Sequence, residues 1–189
     1  RAWIMMLLSV VICLAEGINM SQSAKEIAEG LARALQTESD GYHFYTMAAR
    51  TIQDEKGRRI FETLAQEENA HFRYLKAQYD SYTKTGQPDP AAELPERADL
   101  SGENPIFSEG IRSRISDAHF EMTALSIGMQ LELSSQRFYT EQAKATSDPK
   151  TAEFYRELAD WESEHYHALS RQNEALKEEY WSKGGFAPF

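Results

Sequence analysis

The chain has 189 residues, of which 41% are hydrophobic and 26% are charged, and its formal net charge is −10. This length and composition are typical of one globular domain with a sizeable core. The negative charge argues against nucleic acid as a partner, because phosphate binding needs clustered Lys and Arg side chains. Cys13 is the only cysteine, which excludes an internal disulfide and a Cys-x-x-Cys metal site.

The first 20 residues are strongly apolar, and Trp3–Ala15 contains no charged side chain. This segment is shorter than the about 20 residues that a membrane-spanning helix needs. Three interpretations stay open: an uncleaved secretory leader, an anchor for a membrane or an assembly, and residues upstream of an ordinary start at Met20. We therefore predict a hydrophobic leader or anchor at residues 1–20, with membrane contact only through residues 3–15.

Four helices are predicted, and no segment shows the alternating pattern of a β-strand. Ser23-Ala-Lys-Glu26 is a capping box that predicts a helix start near Ala24. Asp148 and Pro149 supply an N-cap and a first-turn proline for the fourth helix. The approximate predicted bounds are 24–52, 56–83, 109–146 and 149–181.

One long irregular stretch separates the second predicted helix from the third. Residues 84–108 contain four prolines and two glycines, and prolines at this density exclude a regular helix. Two short-looped helical hairpins joined by one long crossover predict an all-α fold, the ferritin-like form of the four-helix bundle. The predicted domain spans residues 21–183, and residues 184–189 form a C-terminal tail.

The two predicted hairpins repeat each other at a constant offset of 94 positions without a gap. Residues 31–79 and 125–173 are identical at 15 of 49 positions, whereas random pairing would give roughly three. Repeated Leu, Ala and Phe fit a shared core, but repeated Glu and His do not, because ionisable side chains are rarely buried unless paired or bound to metal. The repeated ionisable side chains of interest are Glu38, Glu68 and His71 in the first hairpin and Glu132, Glu162 and His165 in the second.

These six residues are predicted to form a dinuclear metal site. Positions i and i+3 share one face of a helix, so the Glu and His of each Glu-x-x-His motif can hold the same ion. Glu38 and Glu132 lie mid-helix on the other two helices and are expected to bridge both ions. Carboxylate and imidazole ligands suit iron, with manganese as the alternative, and argue against a closed structural zinc site. Paired ions can act on one small ligand, which for redox-active iron is O₂ or peroxide.

Two tyrosines recur at the same offset and are the catalytic candidates. Tyr45 and Tyr139 each follow Glu38 or Glu132 by seven residues and therefore share its helix face. They are predicted to donate a hydrogen bond to a ligand carboxylate or to act as a radical sink. The alternative is core packing with a satisfied hydroxyl.

Glu164 and His167 form a further Glu-x-x-His match, but the repeat replaces them with Ala70 and Arg73. We therefore predict that these two side chains are solvated and are not metal ligands.

Three polar side chains lie close to the predicted ligands in the sequence. Glu67 is replaced by Trp161 in the repeat, so it is predicted not to be a ligand. Gln66 and Asp160 are candidates for orienting a ligand imidazole, because metal-bound His usually donates its other nitrogen to a carboxylate or an amide.

The motifs resemble those of the rubrerythrin branch of the ferritin-like di-iron superfamily. The matching segments are residues 34–45, 64–71, 131–139 and 158–165, and the resemblance covers about residues 24–181. It implies a four-helix bundle that binds two iron ions through the same six residues and reduces hydrogen peroxide or O₂ in oxidative stress or iron handling. It also implies a homodimer, and we expect a cytoplasmic protein, or an exported or membrane-associated one if residues 1–20 are a genuine leader.

Two departures from the family pattern bear on the reaction. Rubrerythrins carry a rubredoxin domain with four cysteines, whereas this sequence has one cysteine, which indicates a stand-alone domain that takes electrons from an external donor or from Fe²⁺. The family also has an extra Glu three residues after the Glu of the third helix, where this chain has Ser135, with Gly41 as its counterpart. That difference favours a six-ligand, ferroxidase-type site. The alternative function is iron binding, detoxification or structural assembly without catalytic turnover.

Overall fold

The computed structural model describes residues 22–94, 96–98, 100 and 119–184. These residues contain four helices: α1 (Gln22–Thr51), α2 (Glu55–Thr85), α3 (His119–Ala145) and α4 (Pro149–Gly184). Helix α1 packs along α2 and α3 along α4, and the two hairpins approach each other most closely through α1 and α3. The predicted all-α bundle of two helical hairpins is confirmed.

Several predicted segments lie outside the described residues. These segments are the N-terminal segment at residues 1–20, the first part of the third predicted helix at 109–118 and the C-terminal tail from residue 185, and the predicted domain limits stay predictions. Where it is described, the stretch between α2 and α3 contains no regular helix. None of the four helices is long and apolar enough to cross a membrane.

Aspartate N-caps start α2 and α4 at positions related by the repeat. Asp54 Oδ2 accepts a hydrogen bond from the Gly57 N–H at 2.9 Å, and Asp148 Oδ2 accepts one from the Thr151 N–H at 2.8 Å. The N-cap predicted at Asp148 is therefore confirmed. The equivalent cap at Asp54 was not predicted, although the same offset of 94 positions relates the two residues.

The two ends of the first hairpin differ in how well they were predicted. The chain is already helical at Gln22, whose side-chain amide donates to Glu26 at 2.9 Å, so the capping box predicted at Ser23 is wrong. Its glutamate bonds within the first turns of the helix instead. At the other end, Gly86 has φ 71° and its N–H bonds to the Tyr82 carbonyl. The predicted end of α2 at this glycine is confirmed, because a left-handed C-cap favours Gly.

Asp148→Ala is expected to lower the free energy of unfolding by about 1 kcal/mol, because the first turn of α4 loses the acceptor for its Thr151 N–H. For a chain of this size, that loss corresponds to a melting temperature about 2–4 °C lower. Urea and thermal unfolding measure both values. The control is Glu153→Ala on the exposed face of α4; equal stability of the two variants would contradict the assigned cap.

The core consists of two apolar clusters with a polar layer between them. One cluster surrounds Leu64 and Leu169, and the other surrounds Leu31 and Leu158. Along every helix, the residues between the two clusters include the Glu or the Glu-x-x-His motif of the repeat. The bundle therefore holds the repeated Glu and His side chains at mid-length, between apolar layers that exclude water.

Candidate metal centre

The six side chains predicted as ligands come together at the centre of the bundle. Each of them is buried, with no more than 3% of its surface exposed. Their potential ligand atoms form two overlapping groups in which all atoms lie within 4.8 Å of one another. The groups are Glu38, Glu68, His71 and Glu162, and Glu68, Glu132, Glu162 and His165. This arrangement is consistent with a dinuclear metal site.

The carboxylates common to both groups are Glu68 and Glu162, from α2 and α4. The expectation that Glu38 and Glu132 bridge the two positions is therefore wrong, because each belongs to one group. Glu38 lies at one end of the site, with Oε2 only 3.1 Å from Nδ1 of His71. Sequence spacing gave the helix faces of these residues but not their order across the bundle.

Both histidines present Nδ1 to the carboxylates. His71 Nδ1 lies 3.1 Å from Glu38 Oε2, and His165 Nδ1 lies 3.4 Å from Glu68 Oε1. The two rings are nearly parallel, with centroids 5.9 Å apart and an interplanar angle of 17°. Each imidazole therefore contributes one nitrogen to one of the two groups.

The repeated tyrosines connect the two hairpins. The hydroxyl of Tyr45 donates to Glu132, and the hydroxyl of Tyr139 donates to Glu38. The hydrogen bond predicted for each tyrosine is present, but its acceptor is the glutamate of the opposite hairpin. Burial and the neighbouring carboxylate raise the pKa of both tyrosines well above the usual value, so both hydroxyls keep their protons and remain donors.

The four carboxyl groups are too close to be ionised together without a cation. Burial, and then the charges of Glu38 and Glu132, raise the pKa of Glu68 well above its usual value. Burial and the neighbouring carboxylates do the same to the pKa of Glu162. Burial also acts to raise the pKa of Glu38, but the adjacent His71 imidazole, together with hydrogen bonds from Glu68 and Tyr139, outweighs burial and the pKa is lowered. The metal-free site therefore favours the protonated forms of Glu68 and Glu162, and bound cations would displace these protons.

The donor atoms fit a pair of cations. Five buried atoms of the six predicted ligand residues have no hydrogen-bond partner among the described residues: Glu68 Oε1, both carboxylate oxygens of Glu162, Nδ1 of His165 and Nε2 of His71. An unpaired buried polar atom costs about 1–3 kcal/mol. Carboxylate oxygen and imidazole nitrogen are ligands for iron and manganese, so cations held by the site would satisfy the four of these atoms that belong to Glu68, Glu162 and His165.

The model of the family described as rubrerythrin matches residues 29–173, more than half of the chain. The chain belongs to the rubrerythrin family. The bundle is accordingly a ferritin-like rubrerythrin fold with a buried Glu/His site, and the resemblance drawn from the motifs is confirmed. No curated protein and no solved structure matched the chain.

A cavity of about 260 Å³ between α1 and α3 reaches the site of this rubrerythrin-family chain. Its lining includes three pairs of positions related by the repeat, together with Glu68 and Glu132: Thr37 and Leu131, Asp40 and Ser134, and Gly41 and Ser135. A Cβ at Gly41 would lie 3.0 Å from Glu68 Oε2, so glycine permits the close approach of this carboxylate. Ser135, where the family has an extra Glu, lines the same cavity.

The side chain that orients a site histidine is not one of the two candidates. Gln66 and Asp160 are exposed, so the suggestion that they support an imidazole is wrong. Glu67 has this position instead: its Oε2 lies 3.0 Å from Nε2 of His165, and its Oε1 accepts the Ala98 N–H at 2.8 Å. The signal in the sequence was the mismatch between the hairpins directly before the Glu of the motif.

The additional Glu-x-x-His match lies outside the site, as predicted. Glu164 and His167 are exposed, and Glu164 forms an ion pair with Arg97 of the crossover. Comparison within the repeat therefore separated the surface match from the two buried ones.

Proposed function

We propose that the chain binds two iron ions and reduces hydrogen peroxide or O₂, with electrons from an external donor or from Fe²⁺. The observation that carries this proposal is the pair of overlapping, buried carboxylate and imidazole groups. Four carboxylates balance the charge of two divalent cations. The carboxylate oxygens and imidazole nitrogens of the two groups suit iron, with manganese as the alternative. Members of the rubrerythrin family are typically di-iron peroxidases.

In this proposal, each group would hold one ion, and Glu68 and Glu162 belong to both groups. Bound iron supplies the redox chemistry, and the protein supplies position and charge. Tyr45 and Tyr139 each donate to a carboxylate that belongs to one group only. Their hydrogen bonds fix that carboxylate at its end of the site and connect the two hairpins, as supporting hydrogen bonds do at other metal centres.

The cavity between α1 and α3 is the proposed route of the oxidant. Its volume of about 260 Å³ exceeds the about 30 Å³ that a water molecule occupies in the liquid, so peroxide or O₂ fits easily. Asp40 at its rim is exposed, whereas Glu68 at its inner end is buried. The side chain of Ser135 occupies less of this space than a glutamate would, which leaves room beside the shared carboxylate.

Steady-state assays with iron-loaded protein and a chemical reductant test the proposal. Peroxide consumption that continues over many turnovers and disappears in Glu68→Gln is the expected result. The second candidate, iron binding or detoxification without turnover, predicts one round of oxidation and then no further consumption. Comparison of the oxidation rate with peroxide and the oxidation rate with O₂ identifies the preferred oxidant. Absence of oxidation by either one in a protein that holds two irons would refute the proposal.

Tyr45→Phe is expected to slow oxidation of the loaded centre by about tenfold or more, because loss of a hydrogen bond to a ligand typically costs 10–100-fold in affinity or activity. The matched control is Tyr155→Phe. Tyr155 is also a buried tyrosine, but its hydroxyl has no hydrogen-bond partner among the described residues, so that variant should oxidise at the original rate. Stopped-flow absorption measures both rates, and equal rates for the two variants would remove the proposed role of Tyr45.

The homodimer and the role in oxidative stress stay predictions from the resemblance, and the cytoplasmic location stays a prediction as well. The alternative is that residues 1–20 serve polymerisation or membrane attachment. Light scattering of the full chain and of a chain without residues 1–19 tests these predictions of assembly. A dimer in both cases is the expected result, and a particle size that depends on the segment would support the assembly role instead.

A further inference from the structure

The two halves of the site differ in what supports each histidine. The residue directly before the motif glutamate is Glu67 on α2 and Trp161 on α4, 94 positions apart. Both side chains are buried, with exposed fractions of 7% and 4%. The repeat therefore places a carboxylate in one half where the other half has an indole.

Glu67 supports the histidine of the opposite hairpin. Its Oε2 lies 3.0 Å from Nε2 of His165, which leaves Nδ1 of that ring facing the carboxylates of Glu68, Glu132 and Glu162 at 3.4–3.9 Å. The backbone N–H of Ala98 donates to the other oxygen of Glu67 at 2.8 Å. The crossover thus fixes the carboxylate, and the carboxylate fixes the ring.

His71 has no equivalent support. Its Nδ1 faces Glu38 and Glu162 at 3.1 and 3.6 Å, but its buried Nε2 has no hydrogen-bond partner in the part of the chain that the structure describes. The Trp161 ring packs edge-on against it, with centroids 4.5 Å apart. An indole has an N–H donor and no acceptor, so Trp161 cannot accept a hydrogen bond from Nε2. The Arg97 guanidinium covers the indole at 5.2 Å.

A carboxylate on the outer nitrogen of a ligand histidine fixes its tautomer and orientation and increases its basicity, and its loss typically costs 10–100-fold in metal affinity. We propose that the two metal positions are inequivalent: the position of His165 and Glu132 fills first and tightly, and the position of His71 and Glu38 fills second and weakly. Glu67 is the positioning residue that makes this difference. The inference rests on the proposed metal binding and adds an order of loading to it.

Calorimetric titration of the metal-free full chain with Co²⁺ tests the order. Two binding phases that differ by at least about tenfold in affinity are expected. Glu132→Gln and Glu38→Gln assign the phases, because each removes a carboxylate that belongs to one group only. Glu67→Gln should weaken the phase that Glu132→Gln removes by about 10–100-fold and leave the other unchanged. Glu62→Gln, an exposed carboxylate on the same helix, is the control and should change neither phase.

A second measurement needs no variant at the positioning residue. One equivalent of Zn²⁺ added to the metal-free protein should shift the imidazole resonances of His165 in nuclear magnetic resonance spectra before those of His71. Simultaneous shifts, or an earlier shift of His71, would overturn the proposed order, as would a Glu67→Gln effect on the phase assigned to Glu38. If neither Co²⁺ nor Zn²⁺ binds at all, the proposed metal function is wrong, and the order of loading is wrong with it. That outcome differs from binding of two ions in another order, which would contradict the order of loading alone.

Discussion

Glu68→Gln is expected to abolish paired metal binding, whereas Glu38→Gln is expected to leave one ion per chain. Glu68 belongs to both groups of potential ligand atoms, and Glu38 belongs to one. An amide keeps the volume of the carboxylate but removes its charge, so Glu68→Gln weakens metal binding at both positions. The contrast between the two variants tests the observed order of carboxylates, which is the reverse of the order expected from the sequence.

Elemental analysis after anaerobic loading with Fe²⁺ and desalting measures this difference. The near-ultraviolet absorption of oxidised iron pairs should be lost in both variants, because one ion alone cannot form a pair. Glu164→Gln is the matched control, since it changes the exposed Glu-x-x-His match and should retain two irons. Two irons per chain in Glu68→Gln would show that the ligand assignment is wrong.

Removal of metal is expected to lower the melting temperature of the chain by about 5–10 °C. A ligand at a hundred times its dissociation constant stabilises the folded state by about 2.7 kcal/mol, and each kcal/mol corresponds to about 2–4 °C for a chain of this size. The physical cause is the buried cluster, in which unpaired carboxylate and imidazole atoms gain ligands when the ions bind.

Differential scanning calorimetry of chelated and Fe²⁺-loaded protein under anaerobic conditions measures the shift. Glu68→Gln should show almost no shift, because it lacks the shared carboxylate. Its metal-free form should be at least as stable as the metal-free parent, since the substitution removes an ionisable group crowded by other carboxylates. Identical melting temperatures of the chelated and the fully loaded parent protein would contradict the prediction that bound metal stabilises the fold.

The ligand positions could be predicted because the repeat offered an internal comparison. Leu64 and Leu158 recur as a pair for packing reasons, but the recurrence of Glu68 and Glu162 has no such reason in an apolar core. The same comparison removed Glu164, which is an exposed residue in the structure. The prediction that Glu67 is not a ligand agrees with the structure, because Glu67 belongs to neither group. The comparison did not reveal its contact with a site histidine, because the counterpart of Glu67 is an indole.

The sequence by itself determined the helix faces, the all-α hairpins, the six buried ionisable positions and the aspartate cap at Asp148. These features depend on helical periodicity and local hydrogen bonds, which act over a few residues. Only the tertiary structure decided that Tyr45 bonds to Glu132 across the bundle and that Glu68 and Glu162 are the shared carboxylates. It also decided that the crossover reaches Glu67 through Ala98. These contacts depend on how the two hairpins pack against each other, and the spacing of residues along one helix does not determine the distances between helices.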